Sequence, residues 1–469
     1  MTAGRPRLGV MAQYALLAGP LLAMLDSSIA NVAVEPIARE LRTSLTTVQW
    51  AVSGYLLAIG AGLAATSYLA RRYGTLPLYR ASLIAFTLAS AACALAPNVE
   101  ALLVARAIQG LVGAPMVPLV MTMMLGGGDT TREVSPLAGI LLFLGPALGP
   151  SVGGALIGAT GWRSIFLINV PVGGVAVFAA ARVPVAVAPG RAARARFDLP
   201  GLLLLMAGLT TLLFGTIQGG RHGWSAAGTW AFLSGGAVLL VCYAGWAARR
   251  DEPALDLSSA RGLGSVLALV LCGAASIVTF AAVFVLPVFV QSVQGHSALA
   301  AGLAMLPQGI ITGAGTALGS RVLTRVSVRT AVLCGFAVLT VASLGLLTVG
   351  ARTPLALTAT ILAGRSAAVG LVITPLLTAF LRPLDAGRLA DANTLFSIWQ
   401  RVAGSFGVGL IAALFAAHAH RHGPVAALHL TAIVLTLIAA GSALASILLP
   451  PTRNTALGDR SPSAEDAPA

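Results

Sequence analysis

Lysine is absent from this chain of 469 residues, and charge of any kind is scarce, at 9% of positions. Soluble domains carry about 25%. So few charges cannot coat a water-facing surface on a chain this long, which excludes the two or three soluble domains that length alone suggests. Cysteine is rare as well: four residues cannot staple a secreted scaffold, and no C-x-x-C pair offers a metal site. Cys93, Cys242, Cys272 and Cys334 each lie in or beside an apolar stretch and read as small buried residues. What is plentiful is apolar sequence, 57% hydrophobic with mean hydropathy +0.90. That excludes disorder for all but the polar tail after Pro451. A polytopic membrane protein remains.

A spanning helix needs about 20 apolar residues. The sequence predicts fourteen, near 10–34, 48–70, 75–96, 101–124, 134–158, 164–187, 199–219, 227–248, 264–291, 299–322, 330–350, 355–379, 393–417 and 426–449. Runs such as Gly201–Met206 and Val266–Leu271 do not alternate as the strands of a membrane barrel do. All 29 basic residues are arginine. With both termini inside, 20 of them fall on the inner side, 6 on the outer side and 3 within spans, the bias expected of cytoplasmic loops. One span more or fewer would erase it. Arginines strung along span ends, rather than clustered on a soluble domain, also exclude a nucleic-acid partner. The stretch behind Arg5 and Arg7 is too long for a signal peptide and contains Asp26, so it reads as a retained first span.

The polar, arginine-bearing connections 184–198 and 249–262 divide the chain into six, two and six spans. The expected organisation is an N-terminal six-helix bundle at 1–187, two linker spans at 188–262, a C-terminal six-helix bundle at 263–450 and a cytoplasmic tail at 451–469. A faint echo between LARRYG at 69–74 and LTRVS at 323–327 fits the internal duplication common in secondary transporters.

Ionisable groups inside a bilayer are costly, so each is a functional candidate. Asp26 is the one carboxylate well inside a span, with Glu35 at the outer end of the same span. Arg106, Arg365 and Arg401 are the intramembrane cations. Asp26 lies roughly 21–24 Å from the inner end of span one, and Arg106 roughly 9 Å from the outer end of span four. In a core about 30 Å thick the two share a depth. A buried carboxylate facing an arginine can exchange a proton as its surroundings change, because desolvation favours its neutral form and the cation its ionised form. Glu35 is either a peripheral proton relay or a solvated surface acid. Arg365 is a candidate for contacting polar or acidic groups of a substrate; Arg401 lies nearer the inner face and can snorkel. His418 and His422 have helical spacing but no carboxylate or cysteine nearby, so no metal is expected. Span five carries Gly145, Gly149 and Gly153 on one face, with Gly154 beside them and Pro146 and Pro150 to bend it, a close-packed kinked helix.

These residues resemble the major facilitator superfamily in its fourteen-spanner drug:proton antiporter branch. LDSSIANVAV at 25–34, containing Asn31, is similar to that branch's first-span motif, and QWAVSGYLL at 49–57 to its second-span entry. RAIQGLVGA at 106–114, with Gln109, resembles the fourth-span motif assigned to proton transfer, and GPALGPSVGG at 145–154 the antiporter motif. WRSIFLINVPVG at 162–173, QSVQGHSALAAG at 291–302 and the Gln400, Arg401, Gly404, Ser405, Gly407 group are also similar. The resemblance departs in the loop between spans two and three. There Arg71, with Arg72 and Gly74, stands where the family's gating aspartate is usual, which puts that loop's charge network in question.

The resemblance implies proton-driven efflux of lipophilic small molecules across a bacterial cytoplasmic membrane, by a monomer with no cofactor beyond the proton gradient. Coupling would fall to Asp26, Arg106 and Gln109, and substrate contact to Asn31, Gln291, Gln400 and Arg401; Glu35, which stands where the first-span motif usually has proline, and Arg365, which is not a usual family residue, join them from their charge and place alone, as coupling and substrate-contact candidates. An importer or uniporter of the same fold and a non-transporting sensor are the alternatives. An intramembrane transferase lacks the paired acids it would need for a metal-bound diphosphate.

Overall fold

The computed structural model describes residues 10–125, 149, 152–183, 198–250, 253–296, 298–322, 326–382, 384 and 388–450, and these form helices and their connections without a strand. The helices are α1 (Val10–Val32), α2 (Val34–Glu40), α3 (Leu45–Tyr73), α4 (Thr75–Ala94), α5 (Val99–Gly113), α6 (Met116–Leu125), α7 (152–160), α8 (Ser164–Leu167) and α9 (Asn169–Ala181). They continue as α10 (Leu199–His222), α11 (Ala227–Ala247), α12 (Leu263–Ser292), α13 (Ala298–Val322), α14 (Val328–Leu344), α15 (Leu355–Leu381), α16 (Leu389–His422) and α17 (Pro424–Ser446). Eleven helical segments among the described residues are long and apolar enough to cross a membrane, and the α1–α2 pair, bent by 63°, makes a twelfth. Thirteen of the fourteen expected spans coincide with helix among the described residues; most of span five, with Gly145, Pro146 and Pro150, lies outside them. Cys93 and Cys272 are buried as expected; Cys242 and Cys334 are exposed, because their helices turn those faces away from the protein.

Helix starts follow side-chain caps. Ser44 Oγ accepts the Thr47 N–H, Asn98 Oδ1 the Ala101 N–H and Ser327 Oγ the Thr330 N–H, each answering one of the amides a helix start leaves free. Pro20 interrupts α1 and removes the donor that Leu16 O would use. Tyr79 of α4 repairs the gap: its hydroxyl donates to Leu16 O at 2.7 Å and accepts the Gly19 N–H at 3.2 Å. The kinked first span is thereby fixed in register against α4, which sets where Asp26 falls, one and a half turns further on.

The buried apolar residues fall into two sets. One lies wholly between Ala268 and Leu449, on α12 and α14–α17. The others lie on α1–α9, on the α10–α11 hairpin and on Ala254 and Leu255 just beyond it, joined across the seam by Ile398 of α16. An arginine caps the closing span of each six. Arg80 on α4 donates to Ala180 O, Ala181 O and Val183 O at the end of α9, and Arg329 on α14 donates to Leu449 O beyond α17. This recurrence supports the duplicated plan read from the sequence. The α10–α11 hairpin lies along one seam between the two sets. Leu213 of α10 sits against Gly60 of α3, while Thr216 Oγ1 meets Ser405 Oγ of α16 at 2.8 Å and Trp224 donates to Gly409 O.

Within the N-terminal set, α3 and α5 approach at glycines. A Cβ on Gly62 would stand 2.4 Å from Leu111 O, and one on Gly110 would stand 2.5 Å from Tyr55 O. Backbone cannot yield there as a side chain would, so Gly110→Ala is expected to cost about 1–3 kcal/mol through overpacking. Gly54, on the same α3, has open space around its Cα, and Gly54→Ala is expected to be neutral or stabilising by up to about 1 kcal/mol. Melting temperatures of the two purified variants should move in opposite directions.

Candidate functional site

Asp26 is 2% exposed and Arg106, Gln109 and Asn169 are fully buried around it. Arg106 Nη1 donates to Asp26 Oδ2 at 2.5 Å and to Gln109 Oε1 at 2.7 Å, and its Nε donates to Ala51 O at 3.0 Å. Asp26 Oδ1 accepts from Asn169 Nδ2 at 2.8 Å and from Gln109 Nε2 at 3.2 Å. Ser90 Oγ accepts from Gln109 Nε2 at 2.6 Å and Asn169 Nδ2 at 3.4 Å. The Arg106 guanidinium lies 3.9 Å from the Tyr55 ring centroid and 5.4 Å from that of Phe166, a favourable cation–π placement. Side chains from α1, α3, α4, α5, α8 and α9 thus converge on one carboxylate. The glycine contacts between α3 and α5 are what let Tyr55 reach Arg106.

Arg106 and Gln109 share a helix face three residues apart, so the fourth-span motif delivers both to the same carboxylate. Asn169, Ser90 and Tyr55 were not singled out in the sequence because an uncharged polar residue in an apolar run carries little signal. The position of Asn169 at the break between α8 and α9, inside WRSIFLINVPVG, was the available hint. Arg106 Nη2 and Asn169 Oδ1 have no hydrogen-bond partner, so the network keeps one donor and one acceptor to spare. Of the span-five glycines, Gly149 and Gly153 pack on the α1 segment just beyond Asp26. A Cβ on Gly149 would stand 2.3 Å from Ser28 Oγ, and one on Gly153 2.9 Å from Ile29 Cγ2. Gly154 faces open space.

A second polar cluster ties the two bundles at the end where α3 finishes. Arg71 Nη1 donates to both carboxylate oxygens of Asp391, at the start of α16. Its Nη2 donates to Pro253 O at 2.6 Å and Ala254 O at 3.2 Å. Asp391 also accepts the Asp256 N–H, and Asn393 Nδ2 donates to Pro118 O and to Thr122 Oγ1. The loop that departs from the family pattern therefore holds an ion pair across the bundle interface, its sign reversed on the α3 side. Arg72 is exposed and lies 5.8 Å from the Tyr73 ring centroid, and Gly74 supplies the φ of +88° that turns α3 into α4.

Other candidates are not drawn together. Glu35 is exposed on α2, past the bend that ends α1, and stands apart from the Asp26 network. Gln291 is exposed near the end of α12 and donates to Pro287 O of its own helix. Asn31 lies on α1 with its side chain outside the described set. Gln400 and Arg401 are half-buried on α16, and Arg365 is buried on α15. His418 and His422 stack on one another, and no metal-type cluster forms among the described residues.

Comparison with known proteins agrees with this architecture. Residues 16–408 match the family model described as Major Facilitator Superfamily. The methylenomycin A resistance protein of Streptomyces coelicolor is 31% identical over 454 residues, covering 94% of this chain and 93% of its own. A multidrug resistance protein B homolog of Mycobacterium tuberculosis is 31% identical over 401 residues, covering 84% and 74%. The solved structure of the proton:xylose symporter XylE shares the fold, with a TM-score of 0.64 at 15% identity over 94% of this chain and 96% of that one. The chain belongs to the Major Facilitator Superfamily, whose members are transporters rather than enzymes.

The Arg71–Asp391 contact generates a direct test. With the four native cysteines replaced by alanine, Ala392→Cys places a fully buried thiol beneath the contact. Adding Arg71→Asp is expected to raise its labelling by a polar maleimide, and adding Asp391→Arg as well to return it toward the starting rate. Equal labelling in all three proteins would show that the pair does not hold the interface closed.

Proposed function

We propose that this member of the Major Facilitator Superfamily exports lipophilic small molecules in exchange for protons, by alternating access. The carrying observation is the Asp26 carboxylate, sealed from water and held by Arg106, Gln109 and Asn169 from two other spans. Three donors converge on this one carboxylate. A proton arriving on Asp26 would release Arg106 from its counter-charge and remove an acceptor from Asn169 or Gln109. The spare donor on Arg106 and spare acceptor on Asn169 give the network somewhere to rearrange. Protonation and helix movement would then be one event, since breaking a buried pair at one partner costs about 3–5 kcal/mol.

The arginine bias supports placing the Arg71 end toward the cytoplasm, with both termini on that side. The contacts of Arg71 and Asn393 across the bundles then close the inner side, and the conformation described is one in which the substrate path is shut from the cytoplasm. Substrate would bind between the bundles. The names of the relatives, a multidrug and a methylenomycin A resistance protein, support efflux over uptake and a toxic lipophilic cargo.

Everted membrane vesicles test the reading. Addition of hydrophobic antibiotics or dyes should release protons from energised vesicles holding the wild-type protein. Asp26→Asn should abolish that release at equal protein level, whereas Glu35→Gln should preserve it. Full proton release from Asp26→Asn vesicles would sink the assignment of coupling to Asp26, and substrate-driven uptake of protons with inward cargo flux in cells would reverse the direction.

A further inference from the structure

The second bundle repeats the charge site of the first with its acid missing. Arg365 lies on α15, the fourth span of its six, as Arg106 lies on the fourth span of the other six. Its Nη2 donates to Val278 O of α12 at 3.1 Å and its Nη1 to Ser343 Oγ of α14. Val278 is as far along the chain from Asp26 as Ser343 is from Ser90, to within one residue. The first, third and fourth spans of one bundle meet through Asp26, Ser90 and Arg106. The corresponding spans of the other meet through Val278, Ser343 and Arg365. Where the first bundle meets its arginine with a carboxylate, the second meets it with the backbone carbonyl of Val278, a residue that carries no charge.

The consequence is a cation without an answer. Arg365 is 4% exposed, and a guanidinium keeps its charge in proteins. Its two acceptors are a hydroxyl and a carbonyl, which satisfy donors but not charge. Residues 257–384 and 392–458 contain no Asp or Glu. Of the two acids between those stretches, Asp391 is bound to Arg71. Asp385 follows the end of α15, which Arg365 precedes by roughly 24 Å of helix. Arg401 on α16 also makes no hydrogen bond or ion pair among the described residues. An uncompensated buried ion is destabilising, a cost that a Leu at this apolar position would avoid.

We propose that the exported compounds carry an acidic group, a carboxylate or its equivalent, and that Arg365 is the residue that selects it. This deepens the efflux reading and rests on it. A substrate carboxylate reaching Arg365 from the space between the bundles supplies the charge that Asp26 supplies in the first bundle, and the Ser343 hydroxyl shares the recognition. The bundle then prefers an organic acid to its neutral ester, and prefers either to a lipophilic cation.

Binding to the purified protein in detergent, with no proton gradient, separates this inference from the coupling mechanism. The probes are naphthylacetate, its methyl ester and tetraphenylphosphonium, followed by isothermal calorimetry. Wild type is expected to bind naphthylacetate at least about tenfold more tightly than the ester, the worth of a charge-assisted pair. Arg365→Met should erase that preference. Val278→Asp should erase it too, by supplying an internal carboxylate, while raising the melting temperature; this variant decides the matter if Arg365→Met folds poorly. Acid binding no tighter than the ester in wild type, absent binding included, overturns the inference, as does a full acid preference in Val278→Asp. Proton release driven by neutral or cationic compounds, and lost in Asp26→Asn, would leave the efflux reading standing in either case.

Discussion

A guanidinium cannot be switched off, and inside a bundle of apolar helices its charge must be met by another group of the protein or its cargo. Arg106 is where that constraint shapes the first bundle. Its Nη1 reaches α1 through Asp26 and its Nε reaches α3 through Ala51 O, while Gln109, one turn away, carries the contact to Ser90 on α4. Asn169 completes the ring from α9. The apolar side chains around them pack without direction, but these bonds admit one register. The Tyr79 repair of the Pro20 kink, the α3–α5 glycine contacts and the convergence on Asp26 form one connected arrangement. Moving α1 by a turn would break the Tyr79 and Asp26 contacts together.

This explains what was legible in the sequence. Fourteen apolar stretches and their arginine-bearing ends are written directly in composition, and all but the fifth, most of which lies outside the described residues, coincide with helix. Asp26 and Arg106 stood out because ionisable residues are rare in such stretches, and helical rise alone placed them at one depth. Asn169, Ser90 and Tyr55 did not stand out, since an amide, a hydroxyl or a phenol is ordinary in a membrane helix until its neighbours are known. Nor was the Arg71–Asp391 pair visible. The two lie in different bundles with most of the chain between them, and the family pattern gave Arg71 only as a departure. The bend after Val32, which carries Glu35 away from the network, falls where Pro36 leaves Val32 O without its helical donor, a mark that the continuous apolar run across it conceals.

The Arg71 contact also gives the two inserted spans a mechanical place. Asp198 caps α10, accepts the Trp246 indole N–H from α11 and accepts the Ala254 N–H beyond it. Tyr243 holds Leu255 through both its N–H and C=O. The same short segment offers its Pro253 and Ala254 carbonyls to Arg71 and its Asp256 amide to Asp391. The hairpin is therefore anchored to the pair that bridges the bundles, and its outer half touches α3 and α16 along the seam. Separating the bundles at this end means breaking an ion pair and also detaching both partners from a strap that the inserted spans hold in place. A twelve-helix plan has no counterpart to that strap.

The division of charge between the bundles limits how exchange can work. Asp26 and Arg106 lie among α1, α4, α5 and α9, whereas Arg365 lies among α12, α14 and α15, and no described side chain links the two sites. A proton on Asp26 and an acid on Arg365 would therefore not compete for one group, as they would in a carrier with a single charged site. Direct electrostatics would even favour their joint presence, since protonation removes a negative charge from the interior. Strict exchange in such a molecule has to come from conformation. The proton must be admitted where the bundles are parted on one side and the cargo where they are parted on the other, with joint occupancy disfavoured by how the bundles fit. The contacts that set that fit are the ones across the interface, Arg71 with Asp391 and Asn393 with Pro118 and Thr122, far from either charge site. In the proposed exchange, then, the residues that would enforce coupling differ from those that would carry proton and cargo.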